Sequence, residues 1–328
     1  MQPRVFVALR LAPDAFARVE DACAVTRFDG RGIPTKQDLL SSLADAEGLL
    51  GSAITPIDAD VIASAPRLRV ISNFGVGFDN VDLAVATERG ILVCNTPGVL
   101  SDAVADLTLG LIISLARRLP EAERFVREGN WGTGRMVDLG VDLKSKTLGI
   151  IGLGRIGRAV AKRAQAFDME TVFHDQFRDP PPDASFCRYR ELVGLLRESD
   201  FVTLHVNLSA ETRHLIDARA LSLMKPQAYL INTSRGPVID QPALVAALQA
   251  GRIAGAALDV FEREPLPADD PLGSLPNVIA LPHIGSATRE TRAAMLNLAI
   301  DNLLAALRGE VPACVVNPQA LEVREARS

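Results

Sequence analysis

Short apolar runs alternate with segments of helical period along nearly the whole chain. In the first third the apolar runs cover residues 4–9, 48–52, 69–74 and 91–95, and helix-period patterns cover 13–22, 36–43, 57–63 and 81–89. Runs this short, with helices as crossovers, predict parallel strands covered on both faces. The alternation pauses at Thr96-Pro97-Gly98, and Ser101-Asp102 caps an apolar helix predicted to run to about Leu119. Leu, Ile, Val and Ala fall on nearly every face of that helix, so it belongs between layers rather than on a surface. A second series begins at Thr147, with strands TLGIIGLG, ETVFHD, FVTLHV, QAYLINTS, IAGAALDV and NVIALPH starting at residues 147, 170, 201, 227, 253 and 277. Helical patterns at 156–167, 191–198 and 242–250 separate most of them; a long helix is predicted over 288–307, with a short tail, VPACVVNP, after it. Six strands with crossovers match a doubly wound dinucleotide fold. The expected class is α/β, two doubly wound parallel-sheet domains. With boundaries at the two long helices, residues 1–100 plus 286–328 form one domain around an inserted 101–285; contiguous domains are the alternative.

A chain of 328 residues has room for about two domains, which agrees with the two series. The formal charge of −5 and a pI near 5.5 leave no basic footprint for nucleic acid. The longest apolar stretch, 107–116, falls well short of the roughly 20 residues that span a bilayer, and the N-terminus offers no signal-peptide core. Cys23, Cys94, Cys187 and Cys314 are widely spaced, without a C-x-x-C pair, and read as reduced, buried thiols. The expectation is a cytoplasmic protein with no membrane or nucleic-acid partner and no metal site.

Gly152-Leu153-Gly154-Arg155-Ile156-Gly157 is a G-x-G-x-x-G between a strand and a helical pattern. The first glycine allows a tight turn, the second lets backbone approach a pyrophosphate, and the third lets the helix pack on the strand. The helix amides then face the anion with the positive end of the helix dipole. Asp175 ends the next strand, where a carboxylate bonds ribose hydroxyls and repels a 2′-phosphate. NAD(H) is therefore expected over NADP(H), although Arg178, three residues on, would favour NADPH.

Ligands of open α/β sheets bind beyond the carboxyl ends of the strands. Arg235 in NTSRGPVID, Glu264 in DVFEREP and His283 in LPHIGSAT each follow such a strand end. Of the other histidines, His174 adjoins Asp175, while His205 and His214 flank HVNLSAETRH, read as a turn and helix start beside the cofactor. None has a strand-end Arg and Glu to match, which leaves His283 as the candidate acid–base group.

With these segments on the page the sequence resembles the D-isomer-specific 2-hydroxyacid dehydrogenases over nearly its whole length. The segments are NFGVGFDNVD (73–82), NTPGVLSDAVAD (95–106), GIIGLGRIG (149–157), HVNLSAETRHLID (205–217), INTSRGPVID (231–240), DVFEREP (259–265) and LPHIGSAT (281–288). The resemblance implies a flavodoxin-like substrate domain, an inserted Rossmann cofactor domain, a cleft between them that closes on substrate, and a homodimer. It makes Arg235, Glu264 and His283 the catalytic trio. It implies cofactor contacts at Val104, Gly152, Leu153, Gly154, Arg155, Ile156, Gly157, Asp175, His205, Val206, Thr212, Thr233, Arg235, Asp259, His283 and Gly285. Substrate contacts are implied at Leu50, Gly75, Val76, Gly77, Arg235 and Ser286. Trp131, the only tryptophan, lies in GNWGTG and is read either near a subunit contact or as a packing residue.

The chemistry fits a 2-oxo acid. Arg235 offers a planar fork for a carboxylate, His283 a proton for the carbonyl oxygen, and Glu264 a partner for the far ring nitrogen. Residues 37–66 contain no Lys or Arg, so a phosphorylated substituent finds no cation there. Glyoxylate or hydroxypyruvate is the expected substrate, with 2-ketogluconate next. A dehydrogenase-like NADH sensor and a relative oxidising an inorganic anion such as phosphite are the competing readings.

Overall fold

In a computed structural model, which describes residues 2–326 except Ala12 and Arg31, every strand pairing within the two sheets is parallel. The chain divides into two units, Met1–Leu100 with Thr288–Ser328, and Ser101–Ala287.

The first unit begins β1 (Arg4–Val7), α1 (Pro13–Glu20), β2 (Ala24–Arg27), α2 (Lys36–Ser42) and β3 (Gly48–Ser52). It continues α3 (Ala59–Ala63), β4 (Val70–Phe74), α4 (Leu83–Glu88) and β5 (Leu92–Cys94). The strand order β2-β1-β3-β4-β5 is the flavodoxin-like doubly wound order. Thr35, Asp58 and Asp82 cap α2, α3 and α4, each side chain accepting an N–H of the first turn. Strand β2 was not anticipated: it is an edge strand, wet along most of its length, so it carries no apolar run.

The second unit holds α5 (Ser101–Ala116), α6 (Leu119–Arg127), β6 (Thr147–Ile151), α7 (Arg155–Gln165), β7 (Glu170–His174) and β8 (Arg188–Tyr189). After these come α8 (Leu192–Glu198), β9 (Phe201–Leu204), α9 (Ala218–Leu223), β10 (Tyr229–Asn232), α10 (Gln241–Gln249), β11 (Gly255–Leu258) and β12 (Val278–Ala280). Their order, β12-β11-β10-β9-β6-β7-β8, reverses between β6 and β9, the switch point of a Rossmann sheet. The expected helix over 101–119 is instead two helices. Arg118 takes a left-handed conformation (φ 53°) and a proline follows in the first turn of α6, which ends α5 at Ala116. Helix α5 buries eight of its residues, and Arg163 of α7 pairs with Asp102 and Asp106 of α5 at 2.9 and 2.5 Å. The two-residue strand β8 was also missed, being too short to leave a pattern.

The chain then returns to the first unit as α11 (Arg289–Leu307), capped by Thr288, and α12 (Gln319–Glu325). Ser72 Oγ of β4 donates to Ala299 O of α11 at 2.7 Å, inside the core. The tail read as VPACVVNP covers the open edge of β5. Val316 N–H donates to Val93 O, and the buried Asn317 accepts from Val93 N–H while donating to Ile91 O and Thr87 Oγ1. An edge covered in this way offers no free template for another strand.

Candidate active site

The glycine-rich turn leaves β6 at the switch point. A Cβ on Gly152 (φ 95°) would lie 2.5 Å from His205 O, and one on Gly157 would lie 2.1 Å from Gly152 O. Both positions therefore exclude a side chain. Gly154 differs: a Cβ there meets nothing within 4 Å, and α7 starts behind it with no side-chain cap. The first-turn N–H groups are left without a side-chain cap, as an anion-binding helix start requires. Arg155 is exposed there and has no partner among the described residues. Leu153 is buried, and Ile156 packs partly against the core under α7.

Asp175 stands immediately beyond β7. One oxygen accepts the Leu153 N–H of the glycine turn at 2.7 Å and the other accepts Phe177 N–H at 3.3 Å. A cavity of about 430 Å³ opens beside it, lined in part by Leu153, Asp175, Phe177 and Arg178. An uncapped helix start, an open glycine and a strand-end carboxylate beside a cavity fit the phosphates and ribose of a dinucleotide.

Three loops at the carboxyl ends of β10, β11 and β12 carry the polar residues of interest. Asn232 organises the first: its Oδ1 accepts Ser234 N–H and Oγ, and its Nδ2 donates to Arg235 O at 2.9 Å. Gly236 then locks this loop to the second, because a Cβ there would lie 1.9 Å from the backbone of Phe261. Glu264 closes the second loop by accepting Phe261 N–H at 3.1 Å. Its other oxygen accepts from Nδ1 of His283 at 2.7 Å. An ionised carboxylate only accepts, so Nδ1 carries a proton and Nε2 is the nitrogen left for chemistry.

Burial alone would raise the Glu264 carboxyl. The hydrogen bond and charge of His283, the Phe261 N–H and the charge of Arg235 together outweigh it and hold the group below its ordinary value. Arg235 thus sits close enough to act on Glu264, while its Nη1 donates to Ser234 O at 2.9 Å. His283 itself takes a left-handed backbone conformation (φ 56°). Asp259, almost fully buried, holds the chain just past it by accepting Ile284 and Gly285 N–H, each at 2.7 Å. Burial pushes the Asp259 carboxyl up, against the pull of those two amides.

Other expected positions divide. Gly285 is packed against Asp259 and Val104, and Thr233 Oγ1 meets the buried Thr108 hydroxyl at 3.1 Å. His205 Nε2 meets Thr203 Oγ1 at 3.0 Å, and burial lowers its pKa from 6.5 to about 3, so the ring is neutral. Val206 reaches the Gly152 turn, and Thr212 ties the turn after it by accepting Ser209 N–H and donating to Asn207 O. The helix expected to start in that segment begins only at Ala218, behind the cap Asp217. His214 bonds Glu262 at 2.8 Å. Ser286 is half-buried with no partner among the described residues.

In the first unit, the carbonyls of Gly75, Val76 and Gly77 accept from Thr96 N–H, Asn95 Nδ2 and Asn73 Nδ2. The Val76 and Gly77 N–H groups have no acceptor among the described residues. Gly75 is fixed by space, a Cβ there lying 2.6 Å from Ala53 Cβ. Leu50 has its side chain wholly inside the core, and its carbonyl accepts Ala8 N–H.

Asn232, Gly236 and Thr108 were not singled out beforehand. Asn232 followed two residues on by Ser carries the signal of a side-chain turn; the approach of Gly236 to Phe261 joins distant segments and leaves no local signal. Among the described residues no group of His, Cys, Asp and Glu is placed to hold a metal, and no helix is long and apolar enough to cross a membrane.

A Rossmann sheet with its glycine turn, beside a carboxylate–histidine pair and an arginine on neighbouring strand-end loops, is the layout of a nicotinamide-dependent dehydrogenase. Residues 109–285 match the D-isomer specific 2-hydroxyacid dehydrogenase, NAD binding domain. The chain is 45% identical to the glyoxylate reductase of Korarchaeum cryptofilum, across 99% of this chain and 98% of that protein. It is 44% identical to glyoxylate/hydroxypyruvate reductase B of Citrobacter koseri, across 97% and 99%. The crystal structure of an NADPH-dependent glyoxylate/hydroxypyruvate reductase from Sinorhizobium meliloti, in complex with NADP and malonate, is similar with a TM-score of 0.88. That protein is 36% identical, and 98% of each chain is covered. The chain belongs to the D-isomer specific 2-hydroxyacid dehydrogenase family and is an NAD(P)-dependent oxidoreductase.

Proposed function

We propose that this enzyme reduces a small 2-oxo acid, glyoxylate or hydroxypyruvate, to the D-2-hydroxy acid, with NADH preferred. The observation that carries this reading is the 2.7 Å bond between His283 Nδ1 and Glu264, with the charge of Arg235 acting on the same carboxylate. Arg235 binds the substrate carboxylate with its planar fork and polarises the carbonyl. His283 gives the Nε2 proton to the carbonyl oxygen in reduction and takes it back in oxidation. Glu264 fixes the ring orientation and the tautomer with the proton on Nδ1. The unpartnered amides of Val76 and Gly77 are assigned as an anion-binding turn of the first unit. The dinucleotide would be held by residues 152–157, Asp175 and the strand-end residues Thr233 and Asp259, and its nicotinamide supplies the hydride that no side chain can. The preference for NADH rests on Asp175, whose charge opposes a 2′-phosphate. We assign a homodimer on the exposed apolar side chains Leu119, Val126, Trp131, Met136 and Leu139.

The test follows absorbance at 340 nm with NADH and with NADPH against glyoxylate, hydroxypyruvate, pyruvate, 2-ketogluconate and 3-phosphohydroxypyruvate. Glyoxylate or hydroxypyruvate with NADH is expected to give the highest kcat/KM. Preference for the phosphorylated acid, or silence across the panel with NADH bound, overturns the reading.

A further inference from the structure

Resting on the reading of residues 152–175 as the dinucleotide site, we propose that Glu191 is a specificity-determining residue that restrains use of 2′-phosphorylated cofactors by tethering Arg178. The cavity beside Asp175 is lined among the described residues by two carboxylates, Asp175 and Asp179, and one cation, Arg178. That guanidinium is engaged from outside the cavity, its Nη2 lying 2.9 Å from Glu191 Oε1 and its carbon 5.5 Å from the centre of the Tyr189 ring. Strand register explains why Glu191 stands there. Phe173 of β7 pairs with Tyr189 of β8, and Asp175 and Glu191 each follow two residues after that pair. Arg190 N–H donates to Phe173 O at 2.8 Å, and His174 Nδ1 meets Arg190 O at 3.1 Å, which carries the pairing past the end of β8. The nearby cations Arg188 and Arg190 are already paired with Glu170 and Glu198.

A 2′-phosphate brings close to two negative charges and is best met by a guanidinium. Asp175 repels it at the ribose, and Glu191 competes with it for Arg178. With side chains 73% and 63% exposed, the Arg178–Glu191 pair is weak, so the tether discounts phosphate binding by a few-fold rather than forbidding it. Glu191 also occupies the N-cap of α8 without making a side-chain cap bond, so its replacement removes no helix cap.

The test is calorimetric titration of the full-length protein with adenosine 2′,5′-bisphosphate and with 5′-AMP. Glu191→Gln is expected to tighten the bisphosphate about 2- to 5-fold while 5′-AMP changes less than about twofold. In an Arg178→Ala background the same substitution is expected to change bisphosphate affinity less than about twofold. Unchanged affinity in Glu191→Gln, or equal tightening with and without Arg178, overturns the tether. Failure of the wild-type protein to bind either probe or NADH removes the nucleotide-site reading, and the tether with it.

Discussion

His283 shows how a single residue is held by two carboxylates. Its backbone sits at φ 56°, an uncommon conformation for a residue with a side chain. The cost is met by neighbours: Asp259 takes the next two N–H groups and Glu264 takes the ring. Replacing His283 with Ala is expected to lower kcat by about 10²- to 10⁴-fold while NADH affinity, measured by fluorescence titration, stays within about twofold. A kcat within a few-fold of wild type would remove His283 from proton transfer. Glu264→Gln keeps the shape but removes the charge, and a kcat loss of about 10²-fold or more is expected with the fold intact by circular dichroism. His205 supplies a separate test, in stability. Its folded pKa of about 3 lies below the ordinary 6.5, so between these values the unfolded chain binds a proton that the folded chain does not. Stability therefore falls as the pH drops below about 6.5, by up to about 1.4 kcal/mol per pH unit, and levels off below about 3. Urea titrations from pH 7 to pH 4 check this: His205→Asn is expected to lose less stability over that range than the wild type, and an identical slope would contradict the assignment.

The strand-end loops work as joined pieces rather than as separate motifs. Gly236 touches the Phe261 backbone, so the loop bearing Arg235 and the loop bearing Glu264 share one seam. Gly236→Ala places a methyl group where the Phe261 carbonyl stands; the loops must separate, and a kcat/KM loss of about 10²-fold or more is expected, with a lower Tm. Near-normal kinetics in that variant would show the seam to be dispensable. These loops also mark what was legible beforehand. The central strands were readable because strands buried on both faces are continuous apolar runs, as in the fully buried Phe201–Leu204. The edge strand Ala24–Arg27 and the two-residue Arg188–Tyr189 were not, since neither carries such a run. Arg118 and Pro120 together broke the expected helix over 101–119, a conflict that apolar periodicity does not record. In the site, Arg235, Glu264 and His283 stood out as strand-end polar residues, whereas the direction of the Leu50 side chain, which its strand turns into the core, leaves no mark in the sequence. The holding contacts of Asn232, Gly236 and Asp259 escaped notice, or were read only as ligand contacts, because the latter two join segments more than 20 residues apart.

At the scale of the whole molecule, the distribution of apolar surface argues for a second copy. Trp131, Met136 and Leu139 are 79%, 86% and 90% exposed within one chain, and Leu119 and Val126 of α6 are exposed in the same stretch. Large apolar side chains concentrated in some 20 residues are the basis of the proposed homodimer contact. A two-fold axis is the simplest way for one patch to cover itself, since the same residues then serve both subunits. The cation flanking the stretch is already paired, Arg118 lying against Glu121 and Asp138. Sedimentation equilibrium is expected to give twice the 35.1 kDa chain mass. Trp131, the only tryptophan, reports the same event, with blue-shifted emission in the dimer that moves to the red on dilution. The paired substitution Trp131→Ser with Leu139→Asp is expected to halve the mass while leaving the far-ultraviolet circular dichroism unchanged, because neither side chain belongs to a core within its own chain. A single-chain mass for the wild type at high micromolar concentration, or a variant that stays dimeric, would assign these exposed side chains to something other than self-association.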